Sequence, residues 1–241
     1  MPQLPSVEEM LKAGMHFGHQ RSRWHPKMEP YIFGVRNGVH IIDLEKTQTA
    51  LQRAAEFLSG IAARGGSVLF LGTKSQIRRG VEEAAVRAGM PFVNGRWLGG
   101  TLTNFSEISR MIKRLGELKR QMETGELAKK YTKKEQLMFS REREDLERKI
   151  GGIASLTKRP DAVIVFDMRG EKTAVTEARR IGVPMVGVCD TNVNPELVAY
   201  PVPANDDAVK GMMLLTNFFA DAILEGKAHA KQAIPSVSAK A

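Results

Sequence analysis

Apolar positions along the chain keep two different rhythms. In Ser67–Leu71 (SVLFL), Ala162–Phe166 (AVIVF) and Met185–Cys189 (MVGVC) they are continuous, the pattern of strands covered on both faces. Between and after these runs they return at helical spacing. Gln76–Ala88 reads as an amphipathic helix stopped by Gly89, Lys172–Ile181 as a second, and Ala208–Leu224 as a last one. Short strands are predicted at Pro91–Val93 and near Tyr200–Val202. Strand–helix alternation of this kind predicts an α/β fold, an open doubly wound parallel sheet of the flavodoxin-like type.

Two segments stand outside that rhythm. Residues 31–42 (YIFGVRNGVHII) are two β-rich runs around Asn37-Gly38, a pair that tolerates positive φ and so predicts a tight β-hairpin. Asp43 then stands as the N-cap of a helix carrying Leu44, Leu51, Ala54, Leu58 and Ile61, ended by Gly65-Gly66. Further on, Phe105, Ile108, Ile112 and Leu115 follow the alternating three- and four-residue spacing of a coiled-coil seam, which Leu118 and Met122 continue up to Gly125. A second polar helix follows, with Leu137, Leu146 and Ile150 on one side. Residues 105–150 therefore predict an antiparallel coiled-coil helical hairpin inserted into a sheet domain made of residues 1–104 and 151–226. The Ala-, Ser- and Lys-rich residues 227–241 read as a disordered tail.

Composition narrows the class. The chain has 241 residues, 42% hydrophobic and 26% charged, enough for a core without staples. Its single cysteine, Cys189, excludes an intramolecular disulfide and a four-cysteine zinc ribbon. The longest apolar runs are strand-length, and the N-terminus (MPQLPSVEEM) has neither secretory nor transit character, which predicts a cytoplasmic protein without a membrane partner. Charge points to a partner. Thirty-six Lys and Arg against 27 Asp and Glu give +9, and residues 110–150 alone contribute 13 basic and 8 acidic side chains. Such a balance favours a polyanionic partner, through release of counterions from its phosphates.

Enzyme chemistry finds little support. Gly72-Thr73-Lys74-Ser75 lies between a strand and a helix, but Thr73 separates Gly72 from Lys74 and Ser67 occupies the position of the earlier glycine of a phosphate loop. No dinucleotide fingerprint, nucleophile elbow or cysteine–histidine–acid set is present, and no small-molecule substrate is implied. A metal is the remaining candidate. Four histidines, His16, His19, His25 and His40, lie in the first 40 residues. Asp190, Asp206 and Asp207 follow strands whose carboxyl ends converge in an open α/β sheet. His19, Asp190, Asp206 and Asp207 are accordingly the expected ligands of one structural divalent ion such as zinc. The competing reading makes Asp206 and Asp207 helix caps and Asp190 a strand end. A nucleotide-dependent doubly wound enzyme and a coiled-coil interaction adaptor stay open beside nucleic-acid binding.

Several long peptides then point one way. MLKAGMHFGHQ (Met10–Gln20), Trp24-His25-Pro26-Lys27-Met28, RNGVHIIDLEKT (Arg36–Thr47), FLGTKSQ, GRWLGGTLTNF (Gly95–Phe105), PDAVIVFD (Pro160–Asp167), GVPMVGVCDTNVNP (Gly182–Pro195) and NDDA (Asn205–Ala208) occur in that order. Together they resemble the bacterial form of ribosomal protein two of the small subunit, from about Val7 to Glu225. Ala204 stands where that family usually has glycine, and the tail lacks the acidic stretch of some relatives. The resemblance implies a structural, non-catalytic component of the small ribosomal subunit that needs no cofactor. It implies contacts with small-subunit ribosomal RNA and with neighbouring ribosomal proteins, including the large multi-domain RNA-capturing one.

Beside the resemblance, the residues themselves suggest where RNA would be held. Arg21, Arg23, Lys27 and Arg36 surround Trp24 and Tyr31; the cations suit phosphates and Trp24 suits a splayed base, while Tyr31 reads as packing. Arg96 lies in a glycine-rich stretch beside Trp97, a packing anchor. Arg110, Lys113 and Arg114 are placed off the coiled-coil seam. Lys74, Arg78 and Arg79 open a helix, where cations oppose the dipole and call for an external anion.

Overall fold

The computed structural model describes residues 2–232. Ser6 opens the chain's first helix, α1 (Val7–Lys12), by a reciprocal capping box with Glu9. A three-stranded antiparallel sheet follows, formed by β1 (Phe17–Gln20), β2 (Ile32–Arg36) and β3 (Val39–Ile42) in the order β1-β3-β2. Asn37 and Gly38 turn between β2 and β3 with φ of 51° and 76°, as the predicted hairpin requires. Strand β1 is not foreshadowed in the sequence. Its close approach to the rest of the molecule depends on Gly18, where a Cβ would lie 2.5 Å from the Thr191 side chain.

Asp43 caps α2 (Leu44–Ala63), accepting from the backbone N–H of Glu45 and Lys46 at 3.1 and 3.4 Å. Then come β4 (Val68–Leu71), α3 (Arg78–Ala88) and β5 (Phe92–Val93). Next are α4 (Phe105–Glu123), α5 (Glu126–Lys130) and α6 (Lys133–Ile150). The chain closes with β6 (Ala162–Val165), α7 (Lys172–Ile181), β7 (Met185–Cys189), β8 (Tyr200–Pro203) and α8 (Val209–Gln232). Five strands form one parallel sheet in the order β5-β4-β6-β7-β8. Within the sheet that order is 2-1-3-4-5, consistent with a doubly wound fold.

Alternation along the strands divides the core into two layers. Val68, Phe70, Ala162 and Ile164 face a layer completed by α2, α3 and α8, with Phe166 and Phe219 at its centre. Leu69, Leu71, Val163 and Val165 face the other, which holds α7, Trp97, Leu102 and the roots of α4 and α6 through Ile108, Leu115 and Ile150. The parallel sheet is thus covered on both faces, which is why its strands read as continuous apolar runs.

Helices α4 and α6 pack against each other, cross-linked by Arg114–Glu142 at 2.8 Å and Lys119–Glu147 at 2.6 Å. Ile108, Leu115 and Leu118 are buried along α4 as the spacing predicts, and Ile112 is half-buried. Leu137, however, is exposed at the far end, where α5 replaces a simple turn, so it does not join the seam. Helix α8 also runs on through Gln232 instead of ending near Leu224, so residues 227–232 are helical and not a tail. Lys227 anchors the extension by donating to the Ala88 and Gly89 carbonyls at 2.7 and 3.2 Å. Residues 233–241, the rest of the expected tail, lie outside the described residues.

Candidate nucleic-acid interface

The carboxyl ends of the parallel strands carry loops that meet the N-terminal arm. Lys74 follows β4, Asp167 follows β6, Asp190 and Thr191 follow β7, and Asp206 and Asp207 follow β8. From the arm, β1 brings His19. Its backbone N–H donates to Thr191 Oγ1 at 2.8 Å, and its Nδ1 lies 2.9 Å from Asp190 Oδ1. That hydrogen bond holds the His19 pKa above its ordinary value. Asp190 is wholly buried and also accepts from the Thr191 and Asp206 backbone N–H groups.

Lys74 occupies the middle of the acids. Its Nζ stands 2.6 Å from Asp206 Oδ1, 2.8 Å from Asp207 Oδ1 and 3.8 Å from Asp167 Oδ2. Burial opposes its charge, but the hydrogen bonds to Asp206 and Asp207 outweigh that and hold its pKa well above the ordinary lysine range. Asp206, buried first of all and close to Asp190, is pushed up to about 6. The four residues expected to ligate an ion therefore do come together, but in pairs: Asp206 and Asp207 hold the Lys74 ammonium, while His19 and Asp190 bond to each other beside it, with His19 Nε2 at 4.0 Å from Asp207. Among the described residues no group of three or more His, Cys, Asp or Glu side chains is arranged to hold a metal. The grouping of acids in a basic protein, which suggested zinc, is satisfied by Lys74. The same geometry corrects the expectation that Lys74 meets an RNA phosphate: its anions are internal.

The other expected RNA contacts divide by exposure and pairing. Arg21, Arg23, Arg36, Arg96 and Lys113 are exposed. Lys27 is exposed but paired with Glu196 at 2.9 Å, Arg79 with Glu83 at 2.6 Å, and Arg110 with Glu107 at 2.8 Å. Surface pairs of this kind are weak and exchange readily for a phosphate. Arg78 is exposed, and its Nε donates to the Thr73 carbonyl at 2.7 Å. Arg114 differs. It grips Glu142 with two hydrogen bonds of 2.8 and 2.9 Å and lies 5.8 Å from the Phe139 ring, so it belongs to the contact between α4 and α6 and not to a free face. Trp24 is half-buried against His40, with centroids 5.1 Å apart. Tyr31 and Trp97 pack into the second core layer, as their sequence context suggests.

Two features escaped the sequence reading. Glu177 on α7 is buried and accepts from Trp97 Nε1, the backbone N–H of Gly100, Leu102 and Thr103, and Thr103 Oγ1, at 2.7 to 3.1 Å. Burial pushes its pKa up, but these donors together prevail and lower it. The second is an apolar face on the small sheet, where Phe33 is 80% exposed, Phe17 51% and Val35 50%. The signal for it was present: Phe33 and Val35 sit two apart on β2, on the opposite face from Ile32, which packs inward against the second core layer.

With the arrangement in place, comparison with known proteins is informative. The family model of ribosomal protein S2 matches residues 10–226. A curated relative, the small ribosomal subunit protein uS2 of Acidothermus cellulolyticus (strain ATCC 43068 / DSM 8971 / 11B), is 50% identical over 221 residues, which cover 92% of this chain and 80% of that protein. The matched span takes in every strand of the parallel sheet, the α4–α6 pair and the arm that brings His19 to Asp190. The chain belongs to the ribosomal protein S2 family, proteins of the small ribosomal subunit that serve translation.

Proposed function

We propose that this chain is a structural, RNA-binding part of the bacterial small ribosomal subunit and acts bound to the ribosome. Exposed cations of the arm and of α4 hold small-subunit ribosomal RNA by its phosphates. The observation that carries this reading is the separation of charge. Arg21, Arg23, Arg36, Arg96 and Lys113 face solvent, while Asp190 and Asp206 are turned inward and buried. Phosphates meet these exposed cations without competition from Asp190 and Asp206. At the switch point between β4 and β6, where doubly wound enzymes hold ligands, Lys74 is paired with Asp206 and Asp207 and lies 3.8 Å from Asp167, which supports a non-catalytic role.

The α4–α6 pair we read as a coiled-coil hairpin inserted in the sheet domain, extending the basic surface away from it. The apolar face of Phe17, Phe33 and Val35 is a seat for a neighbouring ribosomal protein, and the large multi-domain RNA-capturing protein is the partner the reading favours. Gradient fractionation of a cell lysate tests the whole reading. The chain should travel with the small subunit and move to light fractions after RNase treatment. Sedimentation as free protein in untreated lysate would refute it, and RNase-resistant association with a single protein would favour an adaptor.

A further inference from the structure

The loops that follow β6 and β7 enclose, with the arm, a cleft of about 750 Å³. Its size lies within the range of ligand sites. Arg23, Arg169 and Lys172 stand around it and no carboxylate lines it. Among the described residues none of these three cations has an ion-pair partner, unlike Lys27 or Arg79. Lys172 opens α7, whose first turn holds no acid, and the N-cap Glu171 carboxylate is turned away to Thr73. The walls and floor are of another kind. Met168, Val193 and Leu197 supply apolar surface. Asn192 Oδ1 is buried with no hydrogen-bond partner among the described residues. His25 is held in place, its own N–H donating to the Thr191 carbonyl at 2.8 Å and its Nδ1 accepting from Lys27 N–H at 3.2 Å. The ring proton is thereby assigned to Nε2, a donor.

We propose that this cleft takes one unstacked nucleotide of ribosomal RNA, a deepening that rests on the RNA-binding reading above. A nucleotide supplies both halves of the required chemistry. Its phosphates, and those of its neighbours, pair with Arg23, Arg169 and Lys172. Its base lies on the apolar surface beside the Asn192 side chain, which lines the cleft and supplies an amide for base recognition. Neither half alone accounts for the cleft: a bare phosphate leaves the apolar floor and the amide unused, and an apolar group leaves three cations unpaired.

The test uses the full chain and deproteinised small-subunit ribosomal RNA, with Kd measured across a range of salt concentrations. Arg169→Ala with Lys172→Ala should lower the log–log salt slope by about two, one unit for each lost phosphate contact. Asn192→Leu should weaken binding about tenfold at every salt concentration and leave the slope unchanged, as loss of a base contact does. Cross-links from thiouridine-substituted RNA should fall within residues 168–172 or 192–197. Each variant is first required to keep the wild-type melting temperature. Unchanged Kd and slope in both variants, with wild-type binding intact, overturn the cleft proposal and leave the broader RNA reading standing. Absence of salt-sensitive binding by the wild-type chain overturns both. Unchanged RNA affinity together with loss of a neighbouring protein from purified subunits identifies an acidic polypeptide as the occupant, and the proposal falls.

Discussion

Glu177 is a single carboxylate that organises a loop. Five hydrogen-bond donors from residues 97–103 converge on it and fasten the stretch between β5 and α4 to α7. A hydrogen bond to a charged group contributes about 1.5–3 kcal/mol net of the exchange with water, and several on one carboxylate do not add. Glu177→Ala leaves three backbone donors without their acceptor and should cost roughly 2–4 kcal/mol, measured by urea unfolding. The pH dependence has a definite sign. Because the folded-state pKa is lowered, the stabilisation by the wild-type carboxylate is present above the unfolded glutamate pKa, ~4.3, and lost as pH falls through the folded value. Glu177→Gln should therefore be weaker than wild type at pH 7 and converge on it in acid; a gap of constant size down to pH 2 would contradict the assignment. Nothing local marks Glu177. A glutamate on a helix beside Arg179 and Arg180 reads as solvated, and only a loop 77 residues earlier in the chain buries it. Lys74 was legible as a cation in need of an anion, but not the source of the anion, 132 residues away. Sequence pattern identifies unmet electrostatic demands well, and long-range chain geometry decides which group meets them.

Among the elements, the α4–α6 pair is anchored at one end only. Ile108, Leu115 and Ile150 enter the second core layer, while Leu137 and Met138 are exposed towards the other end. Ile112→Asp places a charge in the half-buried stretch between the helices and should fray them. Amide exchange should speed up by an order of magnitude or more within residues 112–140 and stay slow in Val68–Leu71, since subglobal opening follows local packing. Equal acceleration in β4 would show the two regions to be one cooperative unit. Elements whose residues carry their own signal were readable: continuous runs for the parallel strands, Asn37-Gly38 for the hairpin, Asp43 for the start of α2. Strand β1 was not, because four residues with a glycine hold no alternation and its extended form is imposed by Val39 and Ile41. The end of α8 was misread for the opposite reason. Its Ala- and Lys-rich composition suits helix as well as disorder, and contact with α3 decides between them.

Over the whole molecule, the longest connections in sequence are those that hold the arm. His19 N–H reaches Thr191, Asn205 Nδ2 donates to the Gly14 carbonyl at 3.1 Å, and Thr47 Oγ1 donates to the Pro203 carbonyl at 2.6 Å, spans of 172, 191 and 156 residues. These ties close only when the last strand and its loop have joined the sheet. Limited proteolysis of nascent chains stalled on the ribosome should therefore cut residues 14–42 readily in chains ending before Asp190, and slowly in chains extended beyond Gln232; early protection would show that the arm folds on the small sheet alone. Synthesis begins with the arm, yet its anchorage is completed by residues made 172 to 191 positions later, which at ~5–20 residues per second is a delay on the order of ten to forty seconds. Throughout that interval Phe17, Phe33 and their neighbours emerge from the tunnel as sticky, unfastened chain, so the first part of the protein to be born is the last to settle and the one most in need of chaperoning.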